Sequence, residues 1–397
     1  LKQRKMNLLI LSHKPPYPIV DGGCHAMDRF VRDLLKTFPS AKIQYLSIAT
    51  QKHPFEEHEI PNDLGANISF SSVEISTRIN PVAAFIHVIK QKSYHISRFK
   101  DNAILNKIEA LTQTNQLDYI FFESIFCGAY IDEIMSLSNA KRVLRAHNVE
   151  HLIWKKLASN TKNPFKRWYL NHLAKTLKDF ELDFMSKNNH VFSISPSDSD
   201  YFKQKGIPQT NYIPVSMKGE QSKDLTANSI CFLGAYNWMP NKEGLLWFTN
   251  DVFPMLLKKH PALILHAAGS YSEEIKGLKS KKQIVLHGFV PSSKSFITKH
   301  GIFIAPILSG SGVKMKVLEA MSLGVPCVLS KHAAEGLNLP ALIPVCENNQ
   351  DFIDKVSLLL QDKGLAEEVG LAGLKYIEDN YASGLVTKKI KDILIKV

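Results

Sequence analysis

The stretch from Ser309 to Leu329 combines residue types and spacings suited to holding an anion. Gly310 and Gly312, with Ser311 between them, let the backbone turn tightly ahead of an amphipathic helix, so the free amides of Gly312 and Val313 can face one external group. The helix dipole adds about half a positive charge at that end, and a phosphate is the natural ligand. Lys314 stands at the helix entrance, while Lys316 and Glu319, three residues apart, share one helix face. A cation for a diphosphate and a carboxylate for ribose hydroxyls are the two demands of a nucleotide-sugar site. Val317, Leu318 and Met321 form the apolar stripe that anchors the helix, and Gly324-Val325-Pro326 stops it ahead of an apolar strand. Taken singly, these features have ordinary readings. A Gly-x-Gly is often only a turn, and Lys316 with Glu319 is equally a solvated pair worth about 0.2–0.5 kcal/mol.

As one constellation, Gly310 to Val313 with Lys316 and Glu319 resembles the donor-site motif of retaining GT-B glycosyltransferases of family four, the glycosyl transferases group 1. The resemblance implies that the helix start holds a donor diphosphate, that Lys316 neutralises it and that Glu319 binds the ribose. The family's commoner pattern has a further glutamate ahead of this helix, contacting the donor sugar. Ser311 stands there, as in a subgroup with a Gly-x-Gly version of the loop, and this leaves the donor sugar open.

Other positions join the same resemblance. After the first apolar strand, the proline-stiffened loop from Ser12 ends in Gly22-Gly23, which the family sets against donor phosphate and acceptor. His147 follows another strand and matches the family's histidine beside the reacting centre. Read alone, it is a histidine satisfied at a strand end, and Asn148 and Glu150 equally suit caps for the next helix. The segment Phe232 to Phe248 resembles the opening of the nucleotide-binding domain, with Gly234 ending a strand and Asn237, Asn241 and Lys242 as polar groups. No arginine accompanies them, so Lys242 or Lys316 must carry the charge toward the diphosphate. Gly288 and Phe289 match the loop whose backbone reads the base. The resemblance spans nearly the whole chain and is strongest from Ile230 to Leu337. It implies transfer of a sugar from a UDP- or GDP-linked donor to a glycan, lipid-linked or protein acceptor, with retention. No metal or other cofactor is implied, because lysines and helix amides supply the positive field at the leaving diphosphate. A nucleotide-sugar epimerase of the same fold and a catalytically inactive sugar-binding scaffold stay open as alternatives.

These residues need elements to position them, and apolar strands alternate with helical patterns along the chain, as in α/β folds with parallel sheets. Strands are expected at Asn7–Ser12, Ile43–Ile48, Asp118–Phe122, Val143–Arg145 and His190–Ser195, then at Ile230–Leu233, Leu263–Ala267, Ile284–Leu286, Ile302–Ala305, Cys327–Leu329 and Leu342–Val345. Helices are expected at Ala26–Phe38, Ala103–Thr112, Ala129–Met135, Glu243–Lys259 and Val313–Leu323. The resulting expectation is a GT-B fold, two Rossmann-like doubly wound domains facing a central crevice. Residues 1–215 form the acceptor-side domain, 216–375 the nucleotide-sugar domain, and 376–397 a helix returning to the first domain.

The composition excludes several classes. With 397 residues, 45% hydrophobic and 22% charged, the chain is an ordinary globular protein with no apolar run long enough to span a membrane. The N-terminus does not read as a signal peptide. Five scattered cysteines lack C-x-x-C spacing and read as buried free thiols in a reducing cytoplasm. Asp198-Ser199-Asp200 is formally D-x-D, but it sits at a helix start where acids suit the first turn rather than a metal. There is no Walker loop and no G-x-S-x-G elbow. The net charge is +12, and much of the excess lies in Trp154 to Lys178, interleaved with Phe165, Trp168 and Tyr169. That stretch suits either peripheral contact with the anionic inner face of a membrane or two packed helices with solvated basic faces. No nucleic-acid recognition motif accompanies it.

Overall fold

The computed structural model describes residues 5–114, 116–222, 226–278, 282–310 and 312–395. The chain divides into two units. One comprises the residues up to Val215 with those from Thr387 on, the other Ser216–Val386.

The first unit holds seven strands: β1 (Asn7–Ser12), β2 (Lys42–Ala49), β3 (Ile68–Glu74), β4 (Tyr119–Phe122), β5 (Lys141–Ala146), β6 (His190–Ser193) and β7 (Thr210–Tyr212). All are parallel, in the order β3-β2-β1-β4-β5-β6-β7. The helices are α1 (Gly22–Thr37), α2 (Pro81–Ile89), α3 (Tyr94–Ser97), α4 (Asn102–Thr114), α5 (Ile131–Leu137), α6 (Glu150–Ser159), α7 (Pro164–Ser186) and α8 (Pro196–Gln204). Central strands of a parallel sheet are covered on both faces, so they read as unbroken apolar runs. In β4 all of Tyr119, Ile120, Phe121 and Phe122 are buried.

The second unit repeats the plan with six parallel strands: β8 (Ser229–Leu233), β9 (Ile264–Ala268), β10 (Ile284–Gly288), β11 (Ile302–Ala305), β12 (Cys327–Ser330) and β13 (Val345–Cys346). Their order is β10-β9-β8-β11-β12-β13. Its helices are α9 (Met239–Trp247), α10 (Phe253–Lys259), α11 (Ser293–Ile297), α12 (Met315–Ser322), α13 (Asn349–Gln361) and α14 (Lys363–Tyr381). A last helix, α15 (Ser383–Leu394), ends in the first unit, where the Tyr119 hydroxyl donates to the Leu394 carbonyl. Each sheet winds outward in both directions from a central pair, β1/β4 in one and β8/β11 in the other. Open α/β sheets bind ligands at the carboxyl ends of the strands at such a switch point.

Several elements differ from the sequence reading for identifiable reasons. β3, at the sheet edge, carries three serines and few apolar residues, and β7 has only three residues, so neither has a strand signature. The strand expected at Leu342–Val345 shrinks to Val345–Cys346, because Pro340 closes a turn with Ile343 and Pro344 lacks an amide donor. The single helix expected over Glu243–Lys259 is split by a π-helical turn at Phe248–Val252, just ahead of Pro254. α12 starts at Met315, not Val313, so Gly312 and Val313 belong to the turn before it.

Candidate active site

At the switch point of the second unit, β8 runs into Gly234 and then α9, while β11 leads through the glycine turn into α12. Gly310 (φ 104°) and Gly312 (φ 75°) both take the left-handed backbone that glycine alone adopts without strain. A Cβ on Gly310 would make only ordinary contact with Pro240 of α9, at 3.6 Å, so it is the backbone conformation rather than space that calls for glycine there. Among the described residues no side chain caps the first turn of α12, and its N-cap is Lys314, whose Nζ donates back to the Gly312 carbonyl at 2.5 Å. Ser311 lies outside the described residues.

Lys316 is the centre of this group. Its Nζ donates to Asn241 Oδ1 at 2.5 Å and lies 4.3 Å from the centroid of the Phe232 ring. Asn241 is in turn fixed by its amide donating to the Ala235 carbonyl at 2.9 Å. Gly234 is needed for this approach: a Cβ there would meet Asn241 at 2.7 Å and Lys316 Nζ at 3.0 Å. Among the described residues no carboxylate pairs with Lys316. Burial, reinforced by the charge of Lys314, pushes its pKa down to about 7. The ammonium is therefore held where any nearby anion would raise its charge. Glu319, one turn further, engages a different element, accepting from the Ser293 hydroxyl of α11.

The strand ends extend this site sideways. The Gly234 amide donates to the Ala268 carbonyl at 3.0 Å, and the Gly269 amide to the Gly288 carbonyl at 2.7 Å. A Cβ on Gly269 would lie 1.9 Å from the Gly234 carbonyl oxygen, so three glycines line the ends of β8, β9 and β10. The sequence reading named Gly234 and Gly288 but not Gly269, whose signal was only a glycine closing an apolar run. Beyond them Phe289 projects with 64% of its surface exposed. Asn237 is exposed in the turn before α9. Lys242 does not join Lys316 at Asn241. Its Nζ meets Glu274 Oε2 at 2.7 Å in a partly exposed pair, where screening leaves little net energy.

In the first unit, Gly22 and Gly23 form the opening turn of α1 rather than a loop. Asp21 caps that helix by accepting from the Cys24 amide at 2.9 Å, and Lys14 Nζ bonds the same carboxylate at 2.6 Å. Burial alone would raise the Asp21 carboxyl, but Lys14 holds it well below the usual carboxylate range.

His147 sits directly after β5, with Nε2 2.9 Å from Glu123 Oε2. Glu123 follows β4, is fully buried, and also accepts from Arg145 at 2.9 and 3.2 Å. The Arg145 guanidinium lies over the Phe30 ring. Burial works against the charged Glu123, yet Arg145 and His147 keep its pKa below the ordinary value. Burial in turn lowers the pKa of His147, despite the Glu123 bond. The sequence reading missed Glu123, since a lone glutamate after Phe-Phe has no spacing to mark it. It also offered Asn148 or Glu150 as caps for α6. The cap is instead Glu181 of α7, which accepts from the amides of Glu150 at 3.0 Å and His151 at 3.3 Å.

Two clusters of the described residues have the spacing to share a metal ion, His266 with His287 and His300, and Glu56 with His58 and Glu59. In the first, His266 and His287 ring nitrogens lie 2.9 Å apart and His300 Nδ1 meets Ser229 Oγ at 2.7 Å. Asp198 lies in the first turn of α8, whose cap is Ser195.

Residues 227–362 match the family model of the glycosyl transferases group 1. A Klebsiella pneumoniae protein described as an uncharacterised 44.6 kDa protein in the cps region is 25% identical over 72% of this chain and 76% of its own length. Among solved structures, sucrose-phosphate synthase from Thermosynechococcus elongatus aligns with a TM-score of 0.70 at 11% identity, over 98% of both chains. A TarM mutant from S. aureus, bound to fondaparinux, α-GlcNAc-glycerol and UDP, aligns with a TM-score of 0.70 at 11% identity, over 99% of this chain and 100% of its own. An E. coli trehalose-6-phosphate protein bound with UDP-2-fluoro glucose aligns at 0.65 and 10% identity, over 98% and 99%. The chain thus has the GT-B fold of two Rossmann-like parallel-sheet units, and its second unit matches the glycosyl transferases group 1, which together support a GT-B glycosyltransferase.

Proposed function

We propose that the protein transfers a sugar from a nucleotide diphosphate sugar to a glycan, lipid-linked or protein acceptor, with retention of configuration and without a metal ion. The observation that carries this reading is Lys316, a half-buried lysine with no carboxylate partner among the described residues, set beside a helix start that no described side chain caps and the glycines that end β8 to β10. A diphosphate there receives one full charge and the open amides of α12, the stabilisation a departing nucleotide needs. Glu319, already accepting from Ser293, is oriented as an acceptor for ribose hydroxyls. Gly288 and Phe289 offer backbone and an exposed ring to the base, and Lys14, Gly22 and Gly23 a polar helix start to the acceptor side. His147, held by Glu123, is assigned to the transferred sugar, as the family resemblance implies. The UDP and UDP-sugar complexes of the similar structures support a uridine donor. In the retaining reaction the acceptor hydroxyl attacks from the face the diphosphate leaves, and its proton passes to the leaving phosphate, so no protein base is required.

The test is calorimetric titration with UDP, GDP, ADP and their sugar conjugates in the presence of EDTA. Micromolar binding of one nucleotide, lost in Lys316→Ala, is expected. If none binds, the donor site is wrong. Product analysis with the bound donor separates transfer to an acceptor from epimerisation of the donor and from a silent scaffold.

A further inference from the structure

The first unit presents apolar side chains where a water-facing helix should be polar. In α2, Val82, Phe85, Ile86 and Ile89 recur at i, i+3, i+4 and i+7, and with the preceding Ile79 they are 41% to 71% exposed. The stripe that should face a core faces solvent instead. The inward positions are the small Ala83 and Ala84. The helix is not free to roll over. Asn80 caps it, accepting from the Val82 and Ala83 amides, and the Asn80 amide donates to the Tyr94 hydroxyl at 2.7 Å.

Ala84 belongs to a small cluster with Tyr94, Ala158, Leu170 and Leu173, so the same packing seats α6 and α7. Their junction exposes Leu157, Phe165 and Trp168, the last two by 83% and 62%. The charge around both patches has one sign. No Asp or Glu occurs in 75–100 or in 151–178, and these two stretches carry twelve Lys and Arg residues. Arg78, Lys90 and Lys92 flank α2, and Lys155, Lys156, Lys162, Lys166 and Arg167 surround the junction, all exposed.

We propose that α2 and the α6–α7 junction together form a docking surface for an anionic lipid bilayer. Apolar side chains raised above a basic ring match the two layers such a surface offers: acyl chains for Phe85, Ile89, Phe165 and Trp168, and phosphate headgroups for the lysines and arginines. A second copy of the chain would bring one basic ring against another, so charge disfavours self-association through this face. The inference does not depend on the donor site and goes beyond the glycosyl-transfer reading by naming where the enzyme works.

The experiment is sedimentation of the full chain with vesicles of phosphatidylcholine alone and of phosphatidylcholine with phosphatidylglycerol. Binding only to the anionic vesicles is expected, weakening as salt rises. Two variants, Phe85→Ser with Ile89→Ser and Phe165→Ser with Trp168→Ser, should each weaken it by about tenfold or more. These positions are solvent-facing, so unchanged melting temperature and unchanged nucleotide titration in the same preparations show an intact protein. The proposal is overturned by no binding to anionic vesicles, or by binding that the apolar replacements leave untouched. It is equally overturned by a lipid-free dimer that those replacements dissociate.

Discussion

At the scale of single residues, Lys316 gives the sharpest expectation. Its pKa of about 7 means that the apo protein is losing the ammonium charge as pH rises past neutrality. A diphosphate at the site would restore that charge, so above pH 7 nucleotide binding must take up a proton. Affinity should then fall with rising pH, by up to about tenfold per unit, until the bound-state value is passed. Calorimetry at pH 8 in buffers of different ionisation heat would show it directly; a heat independent of buffer refutes the assignment. Glu123 gives a second expectation. It positions His147 without needing to touch a substrate, so Glu123→Gln should lower kcat by up to about 100-fold while the nucleotide Kd stays put. A loss of nucleotide affinity instead would make Glu123 merely structural. The lysine was legible in the sequence because glycines and helix spacing mark it. Its setting was not, because its partners Asn241 and Phe232 lie some 75 and 84 residues away in the chain. Glu123 was invisible for the same reason, since both its partners arrive from the next strand.

At the scale of elements, the α6–α7 pair stores a titratable conflict. Burial, together with neighbouring Glu181, raises the Glu150 pKa to about 7, well above the ordinary 4.5. The folded protein therefore holds a proton that the unfolded chain releases above about pH 4.5. Stability from this group is present below that value and is lost as pH rises through 7. Glu150→Gln should accordingly melt higher than the parent at pH 8 and match it near pH 4.5; equal melting at both would clear Glu150 of any strain. Apolar periodicity placed α1, α4, α5, α12 and the α9–α10 stretch, but not their boundaries. Gly22-Gly23 proved to be helix, Gly312-Val313 proved to be turn, and the cap of α6 came from another helix. A cap supplied across thirty-one residues of sequence leaves no local trace.

At the scale of the molecule, the architecture was the most legible feature. Alternating apolar strands and helices force parallel sheets, and repetition of the alternation gave two of them. The strands that escaped, β3 and β7, lie at sheet edges, where one flank has no neighbour and the apolar demand is weakest. Gly234, Asn241 and Lys316 meet where β8 and β11 diverge, at the switch point of the wound sheet, while Lys242 and Glu319 engage other elements. Charge was legible as an excess, not as a surface: which side chains stand out beside it depends on α2, whose helical spacing in Val82, Phe85, Ile86 and Ile89 the sequence reading passed over, and that spacing alone would have pointed the stripe at a core.

All five cysteines are free and buried, at most 4% exposed, and burial raises every one of their thiol pKa values. The natural chain is thus chemically silent toward thiol reagents under native conditions. A single cysteine introduced at Val82 or Phe165 would be its one reactive handle, ready to carry a polarity-sensitive dye without any of the native five being removed.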